Sequence, residues 1–111
     1  MIQGIIAGGK DALIQSIEGA EDKTDDIASL INKYSISKYD YIFGVSCSGG
    51  ALFVHEFLKQ SKFKGASTTM LTFNDIDNKD YIDNIIKVFV GPEILTGSTR
   101  MKSGTATKII L

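Results

Sequence analysis

The most unusual stretch of this sequence lies close to its C-terminal end and combines side chains that bind anions. It contains the only proline and the only arginine of the chain. Ser98 and Thr99 follow a glycine and precede a helical pattern, so free amides and hydroxyls there can meet an anion or an acidic side chain. Arg100 and Lys102 add positive charge, and arginine suits bidentate phosphate recognition. An ordinary capped helix, or a structural pair between Glu93 and Arg100, explains the same pattern.

A second candidate anion site is the loop at residues 46–50, which follows an apolar run and opens a helical pattern. Its small residues, among them Ser46, Ser48 and Gly49, let backbone amides approach a phosphate closely, and the helix dipole favours negative charge. The loop matches neither the GxGxxG fingerprint, nor the P-loop, nor the GxSxG elbow. A plain strand-to-helix turn is an equal alternative.

Two carboxylates, Glu18 and Glu21, are the candidates for acid/base chemistry. They flank a glycine, and residues at this i, i+3 spacing share one surface if the helix persists. A glycine inside or just past a helix exposes backbone and can direct a carboxylate toward a cleft. Acidic residues at the C-terminal end of a helix also oppose its dipole, a small cost that function would explain. A solvated acidic helix end is the commoner outcome.

Three other kinds of site are not expected. Cys47 and His55 lack a third group that would orient a thiol and imidazole pair, so we expect a buried cysteine and a surface histidine. Residues 75–79 begin like an EF-hand loop, but the fifth position is lysine and the sixth is not glycine. One histidine and one cysteine provide no cluster of metal ligands.

The elements that must position these residues alternate along the chain. Apolar runs rich in β-branched residues predict four buried strands, at residues 2–6, 39–45, 67–73 and 85–90. Apolar residues at helical spacing predict helices at residues 11–17, 26–34 and 51–62. This alternation predicts an α/β fold with a parallel sheet, in which ligands bind beyond the carboxyl ends of the strands.

The composition limits the classes of function. The chain has 111 residues, is 43% hydrophobic and 23% charged, and carries a formal net charge of -1, as expected for one globular domain at residues 1–111. We expect no nucleic-acid partner, because there is no basic excess. No apolar run approaches the roughly 20 residues that cross a membrane. The single cysteine, Cys47, suits a reducing cytoplasm.

Both ends of the sequence read as incomplete. It opens directly in an apolar predicted strand, and it closes on Ile109, Ile110 and Leu111 without a glycine or asparagine to end the helical pattern. A parallel sheet needs cover on both faces, and one predicted helix between the second and fourth strands supplies little. We therefore expect a piece of a larger domain, or a shortened relative that forms oligomers.

Two blocks of this sequence resemble those of a known family. Residues 91–102, Gly-Pro-Glu-Ile-Leu-Thr-Gly-Ser-Thr-Arg-Met-Lys, and 104–108, Gly-Thr-Ala-Thr-Lys, closely resemble the signature of the N-acetylmuramic acid 6-phosphate etherases and the related glucokinase regulatory proteins. Residues 6–9, Ile-Ala-Gly-Gly, and 18–22, Glu-Gly-Ala-Glu-Asp, resemble a second block of that family. The similarity spans essentially the whole chain.

The resemblance implies a sugar isomerase (SIS) domain, a three-layer αβα fold with a parallel sheet that binds phosphosugars. In the etherases a carboxylate removes the C2 proton of the open-chain sugar, the D-lactyl ether is eliminated from C3, and water adds back to give N-acetylglucosamine 6-phosphate. Glu21 matches a catalytic acid/base of that mechanism. The resemblance also implies no cofactor and a homodimer of the full-length protein. Residues expected near a phosphorylated amino sugar or hexose phosphate are Glu18, Ser46, Ser48, Gly49, Ser98, Thr99, Arg100 and Lys102.

The sequence also departs from the etherase pattern. The second glutamate of the family mechanism and a Gly- and Ser-rich phosphate loop belong to blocks upstream of those matched here, so we expect the isolated 111 residues to be inactive or weakly active. Etherases carry Ser-Gly-Arg-Thr-Pro where this chain has Ser-Gly-Gly-Ala-Leu at residues 48–52. Ser46 and residues 73–74 look more like the regulatory branch. A phosphosugar-sensing module that binds a partner protein, or an inactive fragment, is therefore an alternative to an etherase-like lyase.

Overall fold

A parallel sheet of three strands forms the centre of the computed structural model, which describes residues 1–111. The strands are β1 (Tyr41–Val45), β2 (Ser67–Thr72) and β3 (Asn84–Lys87), in the order β1–β2–β3. The register places Tyr41 opposite Ser67 and Thr69 opposite Asn84. All three carboxyl ends therefore meet at one edge of the sheet.

Three α-helices accompany the sheet: α1 (Ile27–Lys33), α2 (Leu52–Phe63) and α3 (Lys102–Ile110). The crossover helix α2 connects β1 to β2 and packs against both strands, and α1 packs against α2. In contrast, α3 packs against no other helix or strand. None of the helices has the length and apolar composition that crossing a membrane requires.

The core lies between α2 and the sheet. Leu58 of α2 and Met70 of β2 are fully buried against each other with Ile82, while a larger cluster joins α1 to the aromatic face of α2. Gly44 of β1 lets α2 approach closely, because a Cβ at this position would lie 2.7 Å from Cγ1 of Val54. Burial of these apolar side chains is the main force that holds α2 on the sheet.

An ion pair with hydrogen bonds ties the end of α2 to the residue before β3. Nζ of Lys62 lies 2.5 Å from Oδ1 of Asp83, and the amide of Thr68 donates to Oδ2 of Asp83 at 2.9 Å. The Lys62 ammonium, followed by the Thr68 amide, holds the pKa of the Asp83 carboxyl below its usual range. These bonds join α2, β2 and β3 at the amino-terminal edge of the sheet.

The α/β class with a parallel sheet is confirmed, in agreement with the αβα architecture that the resemblance implies. The last three predicted strands and two of the predicted helices are confirmed with shifted or shorter bounds, and the predicted C-terminal helical pattern forms α3. The strands, α1 and α2 follow the alternation of the sequence because their apolar faces find partners in the core, whereas α3 forms without packing against another helix or strand.

The predicted strand at residues 2–6 is wrong. A strand needs the backbone of a neighbour at about 4.8 Å, and this segment makes no hydrogen bond to β1, although residues of both line one groove. Met1 and Ile2 are fully exposed, whereas Ile5 and Ala7 pack against the core. The apolar residues of this segment therefore contact the core without forming a ladder.

The predicted helix at residues 11–17 is also wrong. Only a short 3-10 helix, Gly9–Leu13, forms there. Gly8 and Gly9 adopt left-handed backbone angles, and the side chains of Leu13 and Ile14 are exposed. Without a surface to bury these apolar residues, the helical spacing does not produce an α-helix, because most helix stability in proteins comes from packing.

Candidate functional site

The loop at residues 46–50 lies at the carboxyl edge of the sheet, between β1 and α2. The Ser46 side chain is buried, and its Oγ accepts the Ala51 amide at 3.3 Å. Oγ of Ser48 accepts the Gly50 amide at 3.2 Å, and the Gly49 amide donates to the Ser46 carbonyl at 3.0 Å. The loop thus closes on itself in a compact turn that begins the helix.

Several hydrogen-bond donors of this loop are left for a ligand. The backbone amides of Cys47 and Ser48 donate to no acceptor within the protein. The hydroxyls of Ser46 and Ser48 use their oxygens as acceptors, which leaves each O–H proton free to donate. Amides and hydroxyls of this kind, at the start of a twelve-residue helix, suit an anion such as a phosphate.

The segment after β2 fixes one side of the loop. The Cys47 carbonyl accepts the Phe73 amide at 3.2 Å and the side-chain amide of Asn74 at 3.2 Å. Gly49 is buried with φ of 78°, and a Cβ on it would overlap the side chain of Ile76 and lie 2.9 Å from Oγ1 of Thr72. Only glycine fits both the backbone angle and the space at this position.

A histidine of α2 holds the other side of the 46–50 loop. Nε2 of His55 donates to the Gly49 carbonyl at 2.7 Å, and Nδ1 accepts the Tyr81 hydroxyl at 3.1 Å. The predicted surface histidine is therefore wrong, because His55 is half-buried between the loop and Tyr81; Cys47, predicted buried, is also half-buried. Local spacing carries no signal for this pair, whose members lie 26 residues apart.

Glu21 approaches the same region from the N-terminal part of the chain. It belongs to a 3-10 turn, Ala20–Asp22, that packs against α2 through the buried side chain of Ala20. The turn begins after Gly19, whose φ of 67° reverses the chain. Glu21 is exposed and lines a groove of about 500 Å³ along β1.

This groove runs between the carboxylate and the residues that flank the 46–50 loop. Its lining includes Val45 and Ala51, the residues immediately before and after the loop, together with apolar side chains of α2 such as Phe53. Glu18 is exposed and does not line this groove. Of the two predicted carboxylates, the structure places only Glu21 at the cavity that adjoins the loop.

The start of α3 already holds an acidic side chain. Glu93 accepts the Lys102 amide on Oε2 and the Ser103 amide on Oε1, each at 2.9 Å. The Ser103 amide, followed by that of Lys102, holds the pKa of the Glu93 carboxyl below its usual range. The alternative of an acidic side chain at this helix start is therefore confirmed, and the structural pair between Glu93 and Arg100 is wrong.

The four predicted residues of this segment lie apart from the loop. Oγ of Ser98 accepts the Arg100 amide at 3.3 Å, and the ammonium of Lys102 donates to the Pro92 carbonyl at 2.8 Å. Thr99 and Arg100 are exposed. None of the four residues lines the groove described above. Glu21 lines the groove that reaches Val45 and Ala51, whereas neither the loop residues Ser46, Ser48 and Gly49 nor the four residues of this segment line it.

A polar cleft of about 570 Å³ lies on the other side of the loop. Gly49 and His55 form part of its wall, and the rest comes from the loop after β2 and from Lys87 at the end of β3. Lys87 lies 2.5 Å from Oδ1 of Asp75 and holds the pKa of that carboxyl below its usual range. No group of three or more His, Cys, Asp or Glu side chains is placed to hold a metal ion.

Comparison of the sequence with known proteins places this chain in a family. A family model described as the glucokinase regulatory protein N-terminal SIS domain matches residues 1–62. The N-acetylmuramic acid 6-phosphate etherase of Synechococcus elongatus is 43% identical over 111 residues, which cover 99% of this chain and 36% of that protein. The etherase of Gloeothece citriformis is 43% identical over 112 residues, 100% of this chain and 37% of that protein.

A third relative gives the same result. The N-acetylmuramic acid 6-phosphate etherase of Actinobacillus pleuropneumoniae is 44% identical over 112 residues, 100% of this chain and 37% of that protein. The chain therefore spans a little over a third of the length of the curated relatives it matches. Because the family model covers more than half of the chain, this protein belongs to the family of the glucokinase regulatory protein N-terminal SIS domain.

Proposed function

We propose that this chain is a phosphosugar-binding segment of an N-acetylmuramic acid 6-phosphate etherase-like lyase. The observation that carries the proposal is the position of Glu21, which lines the same groove as Val45 and Ala51 on either side of the 46–50 loop. A carboxylate and an anion loop beside one cavity are the parts that acid/base chemistry on a phosphosugar requires. Identity to etherases over the whole chain supports the same function.

The proposed reaction is an elimination followed by hydration. A carboxylate removes the proton from C2 of the open-chain sugar, the C3–oxygen bond breaks, and a C2–C3 double bond forms. The departing oxygen takes up a proton as D-lactate leaves. Water then returns a proton to C2 and a hydroxyl to C3, which gives N-acetylglucosamine 6-phosphate. Glu21 acts as acid/base in this sequence, because a carboxylate accepts and returns a proton without leaving the cavity.

Phosphate binding is assigned to the loop, and the residues at the start of α3, which lie apart from it in this structure, belong to the proposed site on the resemblance alone. The free amides of Cys47 and Ser48 and the serine hydroxyls hold the phosphate, and the α2 dipole stabilises its charge. The remaining residues of the proposed site are Glu18, Gly49, Ser98, Thr99, Arg100 and Lys102. The full-length protein acts as a homodimer in the cytoplasm, where an unpaired Cys47 is stable.

A second candidate function is a non-catalytic phosphosugar sensor that binds a partner protein. Two observations favour it: the matching family model describes a regulatory protein, and residues 50–52 are Gly-Ala-Leu instead of the etherase Arg-Thr-Pro. Glycine at residue 50 cannot supply the bidentate phosphate contact of which an arginine is capable, whereas the loop amides are kept. The two functions share one site and differ in turnover.

Lactate release from N-acetylmuramic acid 6-phosphate by the full-length protein tests the proposal. The isolated 111 residues are expected to be inactive, because the family mechanism uses a second glutamate outside the blocks matched here. Glu21→Gln should abolish lactate release and keep phosphosugar binding, since the amide has the same shape and cannot exchange the proton. Asp22→Asn, in the same exposed turn, is the matched control and should retain activity.

Each outcome separates the candidates. Tight binding of N-acetylglucosamine 6-phosphate by calorimetry without lactate release would favour the sensor. An active Glu21→Gln variant would refute the role of this carboxylate. A full-length protein that neither binds the phosphosugar nor releases lactate would refute both functions.

A further inference from the structure

The hydrogen bonds around His55 define its tautomer. A backbone carbonyl only accepts hydrogen bonds, so the 2.7 Å contact to the Gly49 oxygen requires a proton on Nε2 of His55. In the neutral ring Nδ1 is then an acceptor, and the Tyr81 hydroxyl at 3.1 Å donates to it. Burial, followed by the charge of Glu56, raises the pKa of Tyr81 and keeps its hydroxyl protonated. Both ring nitrogens therefore have a defined partner.

The carbonyl that His55 binds belongs to the peptide group that contacts Ser48. The Gly49 oxygen and the Gly50 amide are parts of one planar peptide, so fixing the carbonyl also fixes the direction of the N–H. That N–H donates to Oγ of Ser48 at 3.2 Å. A hydroxyl oxygen that accepts from inside the loop directs its own proton outward.

Gly49 and Gly50, the residues on either side of this peptide, make its orientation dependent on His55. A peptide between two residues without Cβ atoms rotates more freely than others, because glycine populates both signs of φ. The loop and the segment after β2 contact each other through the Cys47 carbonyl, and those bonds do not hold the Gly49–Gly50 peptide. The only hydrogen bond to the Gly49 oxygen comes from His55.

We propose that His55, oriented by Tyr81, is a positioning residue that sets the Gly49–Gly50 peptide so that Ser48 presents its hydroxyl proton to the phosphate of the ligand. The choice of ligand rests on the proposed phosphosugar function of this loop, whereas the positioning role rests on the hydrogen-bond geometry alone. His55 and Gly49 also line the polar cleft on the side of the loop away from the Glu21 groove.

Amide hydrogen exchange of the ligand-free full-length protein tests the positioning directly. His55→Phe keeps a planar ring and removes the donor, so the Gly50 amide should exchange about 2- to 10-fold faster, the range of one hydrogen bond. His55→Gln keeps an N–H donor and should restore slow exchange. The Gly65 amide, which donates to the Lys62 carbonyl at 2.9 Å at the far end of α2, serves as the internal control.

Binding of N-acetylglucosamine 6-phosphate by the same variants tests the consequence. We expect about 3- to 10-fold weaker binding for His55→Phe and a smaller loss for Tyr81→Phe, with recovery in His55→Gln. Unphosphorylated N-acetylglucosamine should show no such difference, because the Ser48 hydroxyl serves the phosphate. If its affinity falls in parallel, the assignment of Ser48 to the phosphate is wrong.

The two measurements fail in different ways. Unchanged Gly50 exchange in His55→Phe, or equally fast exchange in His55→Gln, would overturn the positioning role whatever the ligand. Faster Gly65 exchange of the same size would also overturn it, because the loss would then be a general loosening of α2. If the unsubstituted protein does not bind the phosphosugar while Gly50 responds as expected, the positioning stands and the proposed function fails.

Discussion

Replacement of Gly49 by alanine probes how tightly the candidate anion loop is held. The residue is buried with φ of 78°, an angle at which a side chain costs about 1–2 kcal/mol. The added Cβ would also overlap Ile76 and lie 2.9 Å from Oγ1 of Thr72. Overpacking of this kind costs about 1–3 kcal/mol, so Gly49→Ala should lower the free energy of unfolding by about 2–5 kcal/mol.

Two other glycines separate the contributions. Gly9 has φ of 66° and no atom within 4 Å of its Cβ position, so Gly9→Ala should cost only the conformational part, about 1–2 kcal/mol. Gly50 has no positive φ, and its nearest neighbour is Oγ of Ser48 at 3.8 Å. Gly50→Ala should therefore change stability by less than about 1 kcal/mol.

Urea unfolding followed by circular dichroism measures the three variants under one set of conditions. The expected order of destabilisation is Gly49→Ala, then Gly9→Ala, then Gly50→Ala. A double variant with Ile76→Ala should recover part of the Gly49→Ala loss, because it removes the atom that the new methyl meets. If Gly49→Ala costs no more than Gly9→Ala, the contact with Ile76 and Thr72 does not constrain the loop, and the reasoning fails.

Three further predictions concern charged residues. Asp83→Asn should lower the melting temperature at pH 7 and have little effect well below pH 4. The pKa of Asp83 is depressed on folding, so its stabilisation is present above the unfolded pKa and is lost as the pH falls through the folded one; an equal loss at both pH values would contradict this. Glu93→Gln should accelerate amide exchange in the first turn of α3, while exchange in α2 stays the same; unchanged exchange in α3 would exclude Glu93 as its cap. Arg100→Ala should weaken phosphosugar binding by the full-length protein about 10-fold if one charged hydrogen bond is lost, whereas Lys108→Ala in the last turn of α3 should not, and unaltered affinity in Arg100→Ala would refute the assignment of that residue.

The sequence predicted the elements whose apolar residues find a partner. β1, β2, β3 and α2 all follow apolar runs that meet in the core, so their local pattern and their tertiary environment agree. The 2–6 prediction failed because this segment packs Ile5 and Ala7 against the core without forming hydrogen bonds to β1, and the 11–17 prediction failed because its apolar residues find no surface to bury. The exposed side chains of Leu13 and Ile14 show directly that the 11–17 segment buries little apolar surface.

The candidate site divides in a similar way. The loop of Ser46 and Ser48 was predictable, because small residues between a strand and a helix have a known physical use. The chain of hydrogen bonds from Tyr81 through His55 to Gly49 was not predictable, because it joins residues that are distant in sequence. Glu93 was identified as a residue of the signature, but its two bonds to the start of α3 depend on how the chain folds back over nine and ten residues.

The sequence by itself determined the α/β class and the family, because strand and helix periodicity and a long signature are local properties of the chain. Only the tertiary structure decided which candidates meet. It placed Glu21 in the lining of the groove that adjoins the loop and His55 within hydrogen-bond distance of the Gly49 carbonyl. It also paired the first amides of α3 with the Glu93 carboxylate. These outcomes depend on distances between segments that no spacing along the chain encodes. The first two follow from packing of α2 against the sheet and against the 3-10 turn.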